Sequence, residues 1–166
     1  MAKKRKDFHK QEILARKSTL QSLEFLISFG LKQIGVESTF HEHVNAELKD
    51  IIELDLCKDL LEIKKLVDAI KLHFTANAIK NKGNLCNSYV CIALGISHVE
   101  EIHNIKTVPN MWRELLKQKL IPIYYPEEIR NKVIVWANEN GYATSTYLGQ
   151  PIIKFSKLFL LIKRAV

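Results

Sequence analysis

The sequence predicts an α+β fold that is mainly helical, with N-terminal amphipathic helices packed against a C-terminal winged-helix-like module that ends in a β-hairpin. In the first half of the chain, apolar residues recur at three- and four-residue steps, as they do on one face of a helix. Glycine and proline signals then divide residues 85–120 into short helices. Near the C-terminus, two β-like runs flank a Gly-Gln pair, which is typical of a hairpin.

The chain has 166 residues, which suits one domain or one domain with an appended helical part. We expect a basic flexible tail (1–17), a helical hairpin or dimerisation region (18–82) and the winged-helix-like module with its C-terminal hairpin (83–166). The strongest apolar run, residues 158–162, is far shorter than the roughly 20 residues that cross a bilayer. The N-terminus also lacks the apolar stretch of a signal peptide, so we expect no membrane partner.

The first helix is predicted over about residues 10–34. Its apolar stripe consists of Leu20, Leu23, Ile27, Leu31 and Ile34. Phe25 and Phe29 widen that stripe and indicate a second buried side, and Gly35 marks the end of the helix.

The segment from Val44 to Phe74 has the most regular helical period and predicts one long amphipathic helix. Its stripe consists of Ile52, Leu56, Leu60, Ile63, Val67, Ile70 and Phe74. Such a helix could pack on the first helix as a hairpin, or dimerise through the same stripe.

Residues 85–120 indicate a helix-turn-helix. A helix over about 85–94 ends at Gly95, Ser97 and Glu100 form a capping box for a helix over 97–104, and Pro109 opens a third helix that extends to about Lys119.

The remaining residues predict a mixture of strands and one helix. Residues 120–125 are β-like, and Pro122 places them at a sheet edge. A helix follows from residue 127 to Asn140-Gly141. The hairpin then spans about residues 142–155 with its turn at Gly149-Gln150, and a third strand is expected over 158–163.

Charge is segmented along the chain, and this is the main indication of function. Residues 1–17 hold seven basic and two acidic groups, residues 18–74 hold six and ten, and residues 75–166 hold twelve and six. A basic tail and a basic C-terminal half favour a polyanionic partner, because clustered Lys and Arg release counterions from phosphates. We therefore expect a non-enzymatic protein that binds DNA or RNA, such as a small regulator or a replication or assembly factor.

The expected phosphate contacts come from the tail, the third helix of the helix-turn-helix and the hairpin, which in a winged helix rests on the neighbouring backbone. These residues are Lys3, Lys4, Arg5, Lys6, Arg113, Lys117, Lys119, Lys154 and Lys157. Two observations count against a standard wing: a helix intervenes before the hairpin, and the turn between the helices lacks a small residue.

The run from Lys3 to Lys6 also fits a nuclear-import signal or a merely solvated tail. The strongest alternative function is an adaptor or inhibitor that docks on another protein, or on a second copy, through helix 44–74.

Two patterns suggest metal chemistry but have the wrong spacing for it. Cys86, Cys91, His98 and His103 superficially resemble a zinc site. Five-residue steps on a helix place such partners about 140° apart, so we expect no zinc and no other cofactor.

Asp55, Asp59, Glu62 and Lys64 resemble the acidic cluster of metal-dependent nucleases. Their helical context directs Glu62 and Lys64 to different sides, so a nuclease is the weakest alternative. His41 and His43 precede the long helix as a further, weak candidate pair. The sequence contains neither a glycine-rich phosphate loop nor a nucleophile elbow, which argues against nucleotide hydrolysis and acyl transfer.

The three cysteines, Cys57, Cys86 and Cys91, do not have the spacing of a disulfide framework. They favour a reducing compartment, so we expect a cytoplasmic protein, or a nuclear one in a cell that has a nucleus.

Overall fold

A computed structural model describes residues 2–75, 84–98 and 105–165. The chain is mainly helical and carries a four-stranded mixed sheet at its C-terminal end, as the predicted α+β class requires. The elements are α1 (Ala2–Ile34), α2 (Ser38–Glu53), α3 (Cys57–Phe74), a 3₁₀ turn (Asn84–Asn87), α4 (Tyr89–Ala93), α5 (Met111–Gln118), β1 (Leu120–Tyr125), α6 (Glu127–Glu139), β2 (Ala143–Tyr147), β3 (Gln150–Lys154) and β4 (Phe159–Arg164).

Helix α1 begins at Ala2, so the residues expected to form a flexible tail continue the first helix instead. Residues 2–34 include no proline and a single glycine, Gly30, and therefore nothing in the tail interrupts helical hydrogen bonding. The second half of α1 packs on the rest of the chain through the buried residues Leu23, Ile27 and Leu31. The helix ends before Gly35, as predicted.

The prediction of one continuous helix from Val44 to Phe74 is wrong. The segment divides at Leu54–Leu56, where Asp55 adopts a left-handed φ of 55°. α2 buries Val44, Leu48 and Ile51, whereas the predicted stripe residue Ile52 is 44% exposed. The break changes the phase of the apolar face, so that both helices bury their apolar sides within the chain.

The predicted helix-turn-helix is only partly visible. Its first helix is a 3₁₀ turn followed by the short α4, and its third helix is α5, which begins after a left-handed Asn110. Most of the expected helix 97–104, including Glu100 of the capping box, lies outside the described residues. A winged-helix-like arrangement is therefore not confirmed.

The sheet has the strand order β1-β4-β3-β2. β1 runs parallel to β4, whereas β4, β3 and β2 are mutually antiparallel. β1 lies at an edge, as Pro122 predicted, because proline lacks the N–H that a second neighbouring strand would need. α6 lies between β1 and β2 in sequence and contacts all four strands.

The hairpin between β2 and β3 exists, but its turn lies one residue earlier than predicted. Leu148 and Gly149, not Gly149 and Gln150, connect the strands, with φ values of 48° and 75°. Two successive positive φ values suit the right-handed twist of the flanking strands. The third strand, β4, also follows the hairpin as expected.

Buried polar contacts join the helical part to the sheet. The Asp59 carboxylate, only 2% exposed, accepts the backbone N–H groups of Ser156, Lys157 and Leu158 at 3.2, 2.7 and 2.9 Å. Buried apolar residues of α1–α6 and of the sheet, with the exception of Ile152 and Leu161, form one cluster. The regions expected at 18–82 and 83–166 therefore share a core.

None of the helices in the described part of the chain is both long and apolar enough to span a membrane.

Candidate nucleic-acid interface

The N-terminal half of α1 is an exposed cationic helix, here called the basic arm (residues 2–18). Every residue of the arm is exposed. Its cations are Lys3, Lys4, Arg5, Lys6, Lys10, Arg16 and Lys17. Arg16 pairs with Glu12 at 3.2 Å and with Asp55 at 3.8 Å, whereas the other six form no ion pair among the described residues. The arm therefore offers six cations to solvent.

Arg113 and Lys117 lie on α5, and both are paired with carboxylates. The Arg113 guanidinium contacts Glu53 Oε2 at 3.0 Å, and Lys117 Nζ contacts Glu114 Oε1 at 3.0 Å. A phosphate approaching either cation also meets the charge of its carboxylate partner. These two residues are weaker phosphate ligands than their sequence context suggests.

Lys157 has a structural role. Its backbone N–H donates to Asp59, and its Nζ lies 3.2 Å from the Leu54 carbonyl oxygen and 3.4 Å from Asp55 Oδ2. Lys157 thus stabilises the junction of α2 and α3, because a cation is favourable next to the carbonyl groups at a helix C-terminus.

Lys119 and Lys154 remain exposed, and neither forms an ion pair within the described part of the chain. Lys119 follows α5 with a left-handed φ of 61°. Lys154 ends β3 and lines a shallow depression with Glu62, Lys65 and Tyr142. Of the nine predicted residues, the four of the arm and these two thus have no carboxylate ion-pair partner among the residues that the structure describes.

A cleft of about 640 Å³ lies between the arm, the α2–α3 junction and the loop before β4. Arg16, Lys58 and Lys157 line it, but so do Glu53 and Asp55. Neither residues 3–6 nor Lys154 line this cleft. Of the nine predicted cations only Lys157 lines this cleft, so the cleft does not bring the predicted residues together, and its acidic groups neutralise much of the charge of the cations that do line it.

A buried carboxylate links α2, α4 and α5. Glu47 accepts hydrogen bonds from Ser88 Oγ, from Trp112 Nε1 at 2.9 Å and from the Val90 N–H at 3.3 Å. Burial raises the pKa of Glu47, and these hydrogen bonds oppose that effect only in part. All of its partners belong to the fold, so this network positions helices.

The candidate metal ligands form no metal-binding cluster among the described residues. Across residues 2–75, 84–98 and 105–165, no group of three or more His, Cys, Asp or Glu side chains could hold a metal ion. Cys91 is fully buried and His98 is exposed, while His103 lies outside the described residues. Burial raises the pKa of the Cys57, Cys86 and Cys91 thiols, which keeps them in the weakly nucleophilic thiol form.

The residues that resemble a nuclease site are also directed apart. The Asp59 carboxylate already accepts hydrogen bonds from three backbone N–H groups. Lys64 Nζ contacts Asp68 Oδ2 at 2.8 Å and the Leu94 carbonyl oxygen at 2.9 Å. Glu62 faces the depression beside Lys154 instead. His41 is exposed, and His43 stacks on Tyr89 with ring centroids 4.5 Å apart.

Sequence reasoning missed three further cations, namely Lys65, Lys132 and Lys163. Lys65 lies beside Lys154, and Lys132 lies on α6 beside His73 and Trp136. Lys163 lies on β4, where strict alternation from Phe159 could have assigned it to the same face as Phe159.

No protein-family model, curated protein or solved structure matches this chain.

Proposed function

We propose that this protein is a non-enzymatic nucleic-acid-binding protein, acting on DNA or RNA as a regulator or as a replication or assembly factor. The observation that carries the proposal is the basic arm. Six of its cations form no ion pair in the described part of the chain, and they lie on a helix segment that is exposed throughout. At a rise of 1.5 Å per residue, the arm is about 25 Å long, which is enough to follow a phosphate backbone over several nucleotides.

The physical basis is counterion release. A lysine or arginine without a carboxylate neighbour replaces a condensed cation on the phosphate backbone, and the released ion raises the entropy of the solution. None of the four cations at residues 3–6 forms an ion pair among the described residues, and the same holds for Lys119 and Lys154 in the C-terminal half. Arg113, Lys117 and Lys157 contribute less because each must share its charge with a carboxylate.

The experiment is a titration of the full chain with labelled single-stranded and duplex oligonucleotides at several KCl concentrations. Replacement of Lys3, Lys4, Arg5 and Lys6 by Gln should lower the slope of log K against log salt by up to about 3 for a single strand. Removal of the ion-paired Arg113, Lys117 and Lys157 charges should lower the slope by less.

The matched control keeps the charge and changes the side chain. Lys3→Arg, Lys4→Arg and Lys6→Arg together should leave the salt slope unchanged, because counterion release depends on charge. Binding that is absent, or insensitive to salt, in the unmodified chain would contradict the proposal.

A second candidate function is protein–protein docking through α1, with a second copy of this chain as the partner. Phe25 and Phe29 are 69% and 55% exposed, and they lie on the side of α1 opposite the buried Leu23, Ile27 and Leu31. The expected docking helix 44–74, by contrast, buries its apolar faces in the core. Two measurements on the double variant Phe25→Ser with Phe29→Ser discriminate the candidates. If α1 docks on a second copy, light scattering should show that self-association is lost. If the protein binds nucleic acid, its affinity in the oligonucleotide titration should be unchanged.

A further inference from the structure

One face of the C-terminal sheet is covered by helices. Thr144 Oγ1 lies 3.1 Å from Asn138 Oδ1, and Arg164 Nη1 lies 2.9 Å from Glu127 Oε1, so both strand residues face α6. Ile153 and Leu160, on the same face, belong to the buried core of the chain. The helices and the core therefore lie on this side of the sheet.

The opposite side, here called the open sheet face, carries no described helix. Strand register and alternation place twelve residues on it: Leu120, Pro122, Tyr124, Ala143, Ser145, Tyr147, Gln150, Ile152, Lys154, Phe159, Leu161 and Lys163. Ile152 and Leu161 are buried but do not belong to the core cluster. The other ten residues of the face are partly or fully exposed.

The open sheet face combines aromatic rings with positive charge. Tyr124, Phe159 and Tyr147 lie on three different strands, and none of them has a ring contact within the described part of the chain. Lys154 and Lys163 supply two cations without ion pairs among the residues the structure describes. The twelve positions include no aspartate and no glutamate.

The rim of this face adds one charge of each sign. Lys65 and Glu62 of α3 line the depression that Lys154 and Ala143 also line. The net charge of face and rim therefore stays positive, which is complementary to phosphate.

We propose that the open sheet face binds single-stranded nucleic acid, with bases stacked on Phe159 and Tyr124 and phosphates at Lys154 and Lys163. The inference rests on the proposed function and deepens it by naming the form of nucleic acid. Stacking needs bases whose faces are accessible, which a duplex does not offer. Four-stranded sheets that bind RNA through exposed aromatic rings use the same physical arrangement.

The spacing of the rings sets the binding mode. Phe159 pairs with Leu120, four residues before Tyr124 on the neighbouring strand. At about 3.3 Å per residue and about 4.8 Å between strands, the two positions lie about 14 Å apart. This separation exceeds one stacking step of about 3.4 Å, so two separate bases contact the two rings.

The test compares affinities for a single strand and a duplex of about 15 nucleotides. Phe159→Leu with Tyr124→Leu keeps apolar side chains on the strands but removes the rings, and it should lower single-strand affinity about tenfold or more. The salt slope should not change, because no charge is altered. Lys154→Gln with Lys163→Gln should instead lower the slope by about 1.4.

The matched control is Phe25→Leu, which removes an exposed ring on α1 and should leave affinity unchanged.

A second measurement needs no variant. Irradiation of the unmodified chain with an oligonucleotide that contains 5-iodouracil should form crosslinks to peptides of β1 or β4. Oligothymidylate and oligouridylate arms of the same experiment distinguish DNA from RNA.

The outcomes separate this inference from the proposed function. Three results would overturn the inference: leucine variants that bind as tightly as the unmodified chain, crosslinks confined to other elements, or equal affinity for duplex and single strand. In each case, salt-dependent binding would still support the proposed function. Absence of salt-dependent binding to any oligonucleotide would overturn both.

Discussion

At the scale of single residues, Glu47 shows how the fold changes the chemistry of a side chain. Its carboxylate accepts hydrogen bonds from Ser88, which is the N-cap of α4, from Val90 of α4 and from Trp112 of α5. Burial disfavours the charged form and raises the pKa of Glu47 in the folded chain. The unfolded chain therefore releases this proton at a lower pH than the folded chain does.

The sign of the resulting pH dependence follows from linkage. The Glu47 contribution to stability is complete below the unfolded pKa of about 4.3 and is lost as pH rises through the raised folded pKa. We expect the free energy of unfolding of the unmodified chain to fall relative to Glu47→Gln as pH rises above about 4.3, by at most about 1.4 kcal/mol per pH unit. Urea denaturation at a series of pH values measures this difference.

Glu42→Gln is the control, because Glu42 is exposed on the same helix. As a substitution at an exposed position, it should change the free energy of unfolding by less than about 0.5 kcal/mol. A rise in the stability of the unmodified chain relative to Glu47→Gln would show that the hydrogen bonds to the carboxylate outweigh its burial.

The predicted site residues show which properties local sequence can specify. The exposure of Lys3–Lys6 followed from a polar, basic segment with no apolar stripe. The contact of Lys157 with Leu54 and Asp55 joins residues about a hundred positions apart, and nothing near Lys157 indicates it. The pairing of Arg113 with Glu53 joins residues 60 positions apart. Charge is visible in the sequence, but its neutralisation by distant carboxylates is not.

At the scale of elements, α1 and α4 approach each other so closely that one position excludes a side chain. A Cβ built on Gly30 would overlap the backbone carbonyl of Ala93, which cannot move without shifting α4. Glycine is therefore required at this crossing, even though it weakens a helix interior by about 1 kcal/mol relative to alanine.

Gly30→Ala should accordingly lower the free energy of unfolding by about 2 kcal/mol, since the overlap outweighs the gain in helix propensity. Chemical denaturation measures the loss. Ser28→Ala provides the control on the exposed side of the same helix, where only propensity acts, and it should change stability by less than about 0.5 kcal/mol. Equal effects of the two substitutions would contradict the close crossing.

The elements differ in how far local sequence determines them. α6 and β1 were predictable because Pro122, Pro126 and the Asn140-Gly141 pair act on the backbone directly. The break between α2 and α3 was not predictable in this way, since Leu54–Leu56 contains neither glycine nor proline. Tertiary contacts hold Asp55 in its left-handed conformation, and Lys157 and Arg16 pair with its carboxylate.

At the scale of the whole molecule, the parallel pairing of β1 with β4 creates the open sheet face. The two strands are separated in sequence by α6 and the hairpin, so no local pattern specifies their register. The sequence could indicate that a hairpin and a third strand exist, but not which side of the sheet the helices cover. Tyr124 and Lys163 become neighbours on one surface only through this pairing.

The basic arm and the rest of the chain should be separable. Deletion of residues 2–11 removes no buried side chain and five cations that form no ion pair among the described residues, so the free energy of unfolding should change by less than about 0.5 kcal/mol. The slope of log K against log salt for a single strand should fall by up to about 3.5.

Replacing the same five cations by Gln in the undeleted chain should give an equal loss of slope, because charge and not the helix itself releases counterions. A large fall in stability on deletion would show that the arm packs on the core, and an unchanged slope would place the phosphate contacts elsewhere on the molecule.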